Sequence, residues 1–351
     1  MLTRRRFNAA TVPALATALA TIAPLSLKEA MASEDATAPR ARAPGPVILD
    51  TDIGDDIDDT WALLLLLKAA ELDLKLVVGD YGNPLYRARL LARLLDTLGH
   101  SDIPIGVGLT LDDGITDARG QQSSWLGDYE LGSYRGTVHE DGVQAIIDTI
   151  VASPTPITLL CLGPVPNIAE ALRRNPQIAD NARFIGMHGS IYKGYAGASA
   201  PAAEYNVKVH PQSLRAVFAA PWDCAITPLD TCGEVVLRGA SYRRLYESQA
   251  PNMRVLMDNY RAWLPGAPFI DPNHDMSVTS TTLFDAVAVH LALGGDLVNL
   301  KRLPLRVTDD GYTVIDDALG HPVNCAMSWK NREAFEASIV DQLLGPTPRP
   351  R

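Results

Sequence analysis

Aromatic residues are scarce in this chain, 6% of 351 positions against 47% apolar overall, so its core must be aliphatic. Cysteine is scarcer still. Cys161, Cys224, Cys232 and Cys325 are too few for a disulfide framework, and no paired Cys-x-x-Cys spacing offers a zinc site. Positive charge is short as well: 31 Lys and Arg face 41 Asp and Glu, for a net charge of −10. With no polybasic run beyond the first few residues, a nucleic-acid partner held on a basic surface is excluded. No apolar run is long and unbroken. The stretch from about Ala9 to Leu27 is interrupted by Pro13 and Pro24 and diluted by Ala and Thr, which argues against a permanent membrane span.

The N-terminus reads as an address. "TRRRF" (Thr3 to Phe7) fits a twin-arginine export signal, and "AMA" (Ala30 to Ala32) is a small-x-small cleavage site. Removal of residues 1–32 leaves 27 basic and 40 acidic residues, a net charge of −13. The expected location is periplasmic or secreted, with no membrane contact after cleavage. A Cys224–Cys232 bridge is open in an oxidising compartment. Buried free thiols are the favoured reading, because twin-arginine substrates usually fold before export. Residues 33–45 are Ala/Pro-rich without a period and read as a tether. Residues 346–351 read as a frayed tail.

Between these ends, residues 46–345 show no second linker and no repeat. Short apolar runs alternate with helical patterns: "PVILD" then "DTWALLLLLKAAE", "LKLVVGD" then "LYRARLLARLLDTLG", "PITLLCLG" then "PNIAEALRRNPQIA". "RFIGMHG" and "CAITPLD" read as further strands and "TLFDAVAVHLALG" as a late helix. Continuous apolar strands joined by helices imply a single α/β domain, a largely parallel, Rossmann-like open sheet with helices on both faces. Ligands in such folds bind beyond the carboxyl ends of the strands, which places "DTDIGDDIDD", "GDYGN", "CLGP" and "MHGS" along one rim.

That rim carries six aspartates within the ten residues from Asp50 to Asp59. Like charges at this density repel unless a cation gathers them or water solvates them. Helix capping near Trp61 by Asp58, Asp59 or Thr60 employs one or two acids and leaves four without a role. An EF-hand loop beginning at Asp50 needs Gly at its sixth position and Glu at its twelfth; Asp55 and Trp61 stand there instead. "VILDTDIG" is also similar to the nucleophile strand of haloacid-dehalogenase phosphatases, with Gly54 where that pattern has Thr or Val.

The stretch "DTDIGDDIDDTWAL" resembles the signature of the calcium-dependent, inosine–uridine preferring nucleoside hydrolases, Asp-Thr-Asp-x-Gly-x-Asp-Asp before an Ala/Leu-rich helix. It is two residues longer between the glycine and the closing Asp pair. "VVGDYGN", "CLGPVPNIAEAL", "FIGMHGSIYKGY", "PAAEYN" and "LFDAVAV" are similar, in order, to five further segments of that family, from about residue 47 to 290. The resemblance implies hydrolysis of the N-glycosidic bond of a ribonucleoside or related riboside. A cation in an oxygen cage holds water and sugar hydroxyls while a carboxylate takes the proton.

Carried over by resemblance, Asp52 is the general base and a Ca2+ ligand. Asp59, Asp285 and the carbonyl of Leu162 complete the cage. Asp58 holds ribose hydroxyls, Asn83, Glu204 and Asn206 bind the sugar, and Met187 and His139 line the pocket. The two-residue insertion makes Asp56 a rival for Asp58 or Asp59. Asp50 is expected to orient the loop by accepting backbone N–H bonds, and Asp55 to be solvated. Dimers or tetramers are the family's habit.

Two family positions differ. The His that precedes the last metal Asp and protonates the departing base is Phe284 here, and an Asn that contacts the sugar is Ala198. His188, His139 and His274 are candidate replacement acids. Alternatively Phe284 stacks on a base that leaves unprotonated, such as a pyridinium, or the chain is a non-catalytic Ca2+-dependent riboside binder.

Overall fold

The computed structural model describes residues 45–111 and 120–346. The expected signal, nearly all of the tether and most of the tail lie outside the described residues.

Ten strands form one sheet among them: β1 (Gly45–Thr51), β2 (Leu72–Gly79), β3 (Ile105–Gly106), β4 (Val138–His139), β5 (Ile157–Cys161), β6 (Ala182–Gly186), β7 (Cys224–Ile226), β8 (Val298–Val307), β9 (Thr313–Ile315) and β10 (His321–Trp329). Their order is β4-β3-β2-β1-β5-β6-β7-β10-β8-β9. Every pairing from β4 across to β10 is parallel, and β8 and β9 close the far edge antiparallel. This is the expected largely parallel, open α/β sheet.

The apolar runs are continuous because both faces are covered. Val47 and Leu49 of β1 join the core built from the helices Asp58–Lys68, Pro84–Leu98, Pro251–Trp263, Ala286–Ala292 and Arg332–Leu344. Ile48, between them, turns to the opposite core with the helices Gly142–Ala152, Pro166–Arg174 and Pro211–Ala219. Side chains alternate across a strand, so a sheet buried on both faces needs an unbroken apolar sequence.

Chain order makes β1 the pivot. From β1 the chain winds outward through β2, β3 and β4, then returns to β5 on the other side of β1. The crevice beyond the carboxyl ends of β1 and β5 is therefore the sheet's topological switch point. The aspartate run follows β1 directly and Leu162 follows β5 directly.

The antiparallel edge was not legible. β8 buries Val298, Leu303, Leu305 and Val307 but exposes the residues between, and Pro304 stands opposite Pro322 of β10. Prolines cannot donate to the ladder, so the segment does not read as a strand. Among the described residues no helix is long and apolar enough to cross a membrane. The four cysteines are buried free thiols.

Candidate active site

The capping account of the aspartates does not hold. Ile57 takes the N-cap position of the helix Asp58–Lys68 without a side-chain bond, and Asp58 and Asp59 sit in the first turn, 3% exposed each. Asp285 occupies the N-cap of Ala286–Ala292, also without using its carboxylate as a cap. One oxygen from each of Asp58, Asp59 and Asp285 lies within 4.8 Å of the others. Two helix N-termini thus deliver three buried carboxylates to one point, where the helix dipoles favour negative charge.

Burial, and then the neighbouring carboxylates, pushes all three well above the usual range; burial raises Asp52 too, opposed by the Arg87 guanidinium. Without a counter-ion the cluster resists full ionisation. Oxygens bound to one hard cation at about 2.0–2.6 Å are at most about 5 Å apart, so this donor set fits a divalent ion.

The surrounding bonds hold the cluster in shape. Thr51 Oγ1 donates to Asp59 Oδ1, and the Asp285 N–H donates to Asp58 Oδ2 at 3.1 Å. Asp52 lines the same cavity, and its backbone carbonyl accepts from the buried guanidinium of Arg87. Arg87 also bonds the carbonyls of Ile53 (3.0 Å) and Tyr81 (2.7 Å) and lies 3.7 Å from Asp55. It is the positive brace under the aspartate loop. Within the amphipathic "LYRARLLARLL" pattern nothing set this arginine apart from its half-buried neighbours Arg89 and Arg93.

Asp50 behaves differently from its expected role. Its Oδ1 accepts from the Asn167 side chain at 2.8 Å, not from the backbone. Asp80 does the backbone work, accepting from the Val165 N–H at 2.7 Å, and burial raises it to about 6. Asn167 also donates to the Gly79 carbonyl, tying β1, β2 and the turn after β5 together. Asp55 is not simply solvated: it accepts from Tyr205 Oη at 3.0 Å. Asp56 accepts from the following Ile57 N–H at 2.6 Å and stands apart from the carboxylate triad.

A cavity of about 680 Å³ opens over the cluster, lined by Asp52, Asp58, Leu162, Met187, Glu204, Asn206 and Phe284 among others. Glu204 caps the helix Tyr205–Val209, accepting from the N–H groups of Gly189, Asn206 and Val207, and burial raises it to about 7. Asn206 Nδ2 donates to the carbonyls of Leu162 (2.7 Å) and Met187 (3.0 Å), which ties the ends of β5 and β6 to this helix.

Among the described residues the match to known proteins is extensive. The family model for inosine-uridine preferring nucleoside hydrolase matches residues 47–341. The chain belongs to that family. An inosine-uridine preferring nucleoside hydrolase of Leishmania major is 28% identical over 298 residues, 80% of this chain and 91% of that protein. The pyrimidine-specific ribonucleoside hydrolase RihA of Salmonella arizonae is 29% identical over 248 residues, 65% and 77% of the two chains. In fold, the chain is similar to a plant nucleoside hydrolase (TM-score 0.73, 22% identity, 86% of this chain and 100% of that one). A purine-preferring ribonucleoside hydrolase from Gardnerella vaginalis gives 0.68 at 21%, over 85% and 99%.

As a nucleoside hydrolase family member the chain departs where the sequence differs. Four expected residues do not reach the cavity wall. Asn83 caps the helix Pro84–Leu98, accepting from the Tyr86 N–H at 3.0 Å. His139 sits on β4 at the sheet edge, three strands from β1. His188 is wholly buried, its Nε2 is 3.0 Å from the Gly163 carbonyl, and burial lowers it to about 4. The ring thus lies behind the wall rather than on it. His274 pairs with the Tyr260 hydroxyl at 2.6 Å and is not on the wall either. Phe284 does line the cavity, edge-on to Tyr195. Tyr195 and Tyr205 lie within the quoted motifs "FIGMHGSIYKGY" and "PAAEYN", but nothing in the sequence brought them to one mouth with Phe269.

Proposed function

We propose that the chain is an exported, calcium-dependent N-ribohydrolase. Family membership carries the reaction class, hydrolysis of the N-glycosidic bond of a riboside by an N-glycosyl hydrolase. The match across residues 47–341 also leaves the phosphatase alternative without support. The observation that carries the mechanism is the meeting of Asp58, Asp59 and Asp285 beside Asp52 at the switch point.

Asp52, Asp59, Asp285 and the Leu162 carbonyl would hold the ion, with Asp58 on the ribose diol at the edge of the same oxygens. Calcium is the choice because all donors are hard oxygens and several are carboxylates. Bound there, it would supply a hard Lewis acid that gathers water and sugar hydroxyls. Asp52 takes the proton of the attacking water as C1′ gains oxocarbenium character. Glu204 and Asn206 hold the sugar against the end of β5. His188, by its placement, leaves the role of acid empty. The Arg-Arg motif supports export, and a dimer or tetramer is the assembly we assign.

Ribose release from a riboside panel by the mature protein, with and without chelator, tests this reading. Calcium-dependent release is expected, and no release from any riboside with calcium restored overturns it. The second reading, a calcium-dependent riboside binder without turnover, is favoured by Phe284 and Ala198 and predicts binding without ribose.

A further inference from the structure

The cavity wall is aromatic as well as acidic. Tyr195, Tyr205, Phe269 and Phe284 all line it, and the first three are 41%, 45% and 61% exposed in a chain otherwise poor in aromatics. Their positions are set by one another and by Asp55. Phe284 meets Tyr195 edge to face (centroids 6.0 Å apart, planes at 84°), and Tyr195 Oη accepts from the Tyr205 N–H at 2.8 Å. Tyr205 Oη donates to Asp55 Oδ2. Phe269 packs edge to face on Trp263, whose Nε1 donates to the Asp55 carbonyl at 2.9 Å. Exposed rings held in place are a pre-formed stacking surface, and aromatic faces attract cations.

The charge agrees. Seven carboxyl side chains line the cavity, and among the described residues no lysine, arginine or histidine does. Nothing on the described wall therefore repels a positively charged ring. A neutral purine or pyrimidine needs a proton to leave, and the wall presents no imidazole to give one.

Resting on the riboside-hydrolase reading, we propose that the preferred aglycone is a planar cation, an N-ribosyl pyridinium or similarly quaternised heterocycle. Cleavage then balances without an acid. The C1′–N bond breaks, its electron pair neutralises the ring nitrogen, the water oxygen bonds C1′, and Asp52 receives the proton. The products are ribose and a neutral heterocycle, which also loses its attraction for the cage.

Two substrate pairs separate charge from shape: nicotinamide riboside against uridine, and 7-methylguanosine against guanosine. Each kcat/KM is divided by that compound's uncatalysed rate, and inhibition by N-methylnicotinamide is compared with nicotinamide. We expect the cationic member of each pair to be favoured at least about tenfold after this division, and the cationic inhibitor to bind more tightly by a similar factor. Phe284→Ala should lose that selectivity, whereas Phe284→His should gain turnover of inosine. Equal normalised rates within both pairs, with equal inhibition, overturn the proposal while leaving the hydrolase reading intact. No ribose from any riboside overturns both.

Discussion

Asp52, in the aspartate loop, and Arg87, on the helix Pro84–Leu98 beneath it, show how differently two charged residues serve one site. Asp52 faces the cavity and is assigned the proton of the attacking water. Asp52→Ala should cut ribose release by about 10²–10⁴-fold, the usual worth of a positioned base, with the fold kept; a variant retaining most of its activity would contradict the role. Arg87 does not itself line the cavity; it acts from behind, on the backbone of Asp52, which does. Arg87→Met removes a donor from each of the carbonyls of Asp52, Ile53 and Tyr81, the first of which keeps the Asp55 N–H. Each buried acceptor left alone costs about 1–3 kcal/mol. The variant should therefore melt several degrees lower, with kcat falling more than KM rises because the loop and not the sugar contact is disturbed. An unchanged melting temperature would remove Arg87 from this account.

Helix termini and strand ends do the assembling at the next scale. Two helices begin at the cavity, and each places an aspartate in or before its first turn whose side chain skips capping and reaches the shared point. Asn83 makes the opposite choice and spends its carbonyl on the cap of Pro84–Leu98. Asn83→Ala should cost about 1 kcal/mol of stability, the ordinary loss of a cap, and leave KM for a riboside within about twofold. A large rise in KM at unchanged stability would return Asn83 to the sugar. After β5 the backbone runs against Asp52 so closely that a Cβ on Gly163 would lie 3.1 Å from the Asp52 side chain and 2.9 Å from Asp80 Oδ2. Gly163→Ala should depress kcat by an order of magnitude or more, of the size expected when a catalytic group is displaced by about 1 Å. Crystallography of the variant would show whether Asp52 has moved.

Seen whole, the molecule concentrates buried acid around one cavity, and its stability must respond to pH and metal together. Asp52, Asp58, Asp59 and Asp285 have folded values raised above the unfolded 3.8, by burial first; neighbouring carboxylates add to this, against the lowering pull of Arg87 on Asp52. Between those values the folded state holds more protons than the unfolded one, so stability falls as pH rises. Chelator-treated protein should thus melt lower at pH 8 than at pH 5. Added calcium should restore the loss at pH 8, by about 2.7 kcal/mol at a hundredfold excess over Kd. A metal-free melting temperature that climbs with pH would show that the carboxylates are not held together as described.

Much of this was legible along the chain, for local reasons. Unbroken apolar runs are what a doubly covered parallel sheet requires, and motifs that stay contiguous, such as "DTDIGDDIDD" and "PAAEYN", carry their chemistry wherever the fold sets them. What no local pattern contained was convergence: which of six clustered aspartates turn inward, that Asp285 joins them from over two hundred residues away, and that His188 is sealed behind the wall. Nor could spacing show Arg87 bracing the loop or four rings from separate segments meeting at one mouth. Those outcomes are set by how helices and strands pack against one another, because burial and distance decide a charged side chain's partners, and neither is a property of neighbouring residues in sequence.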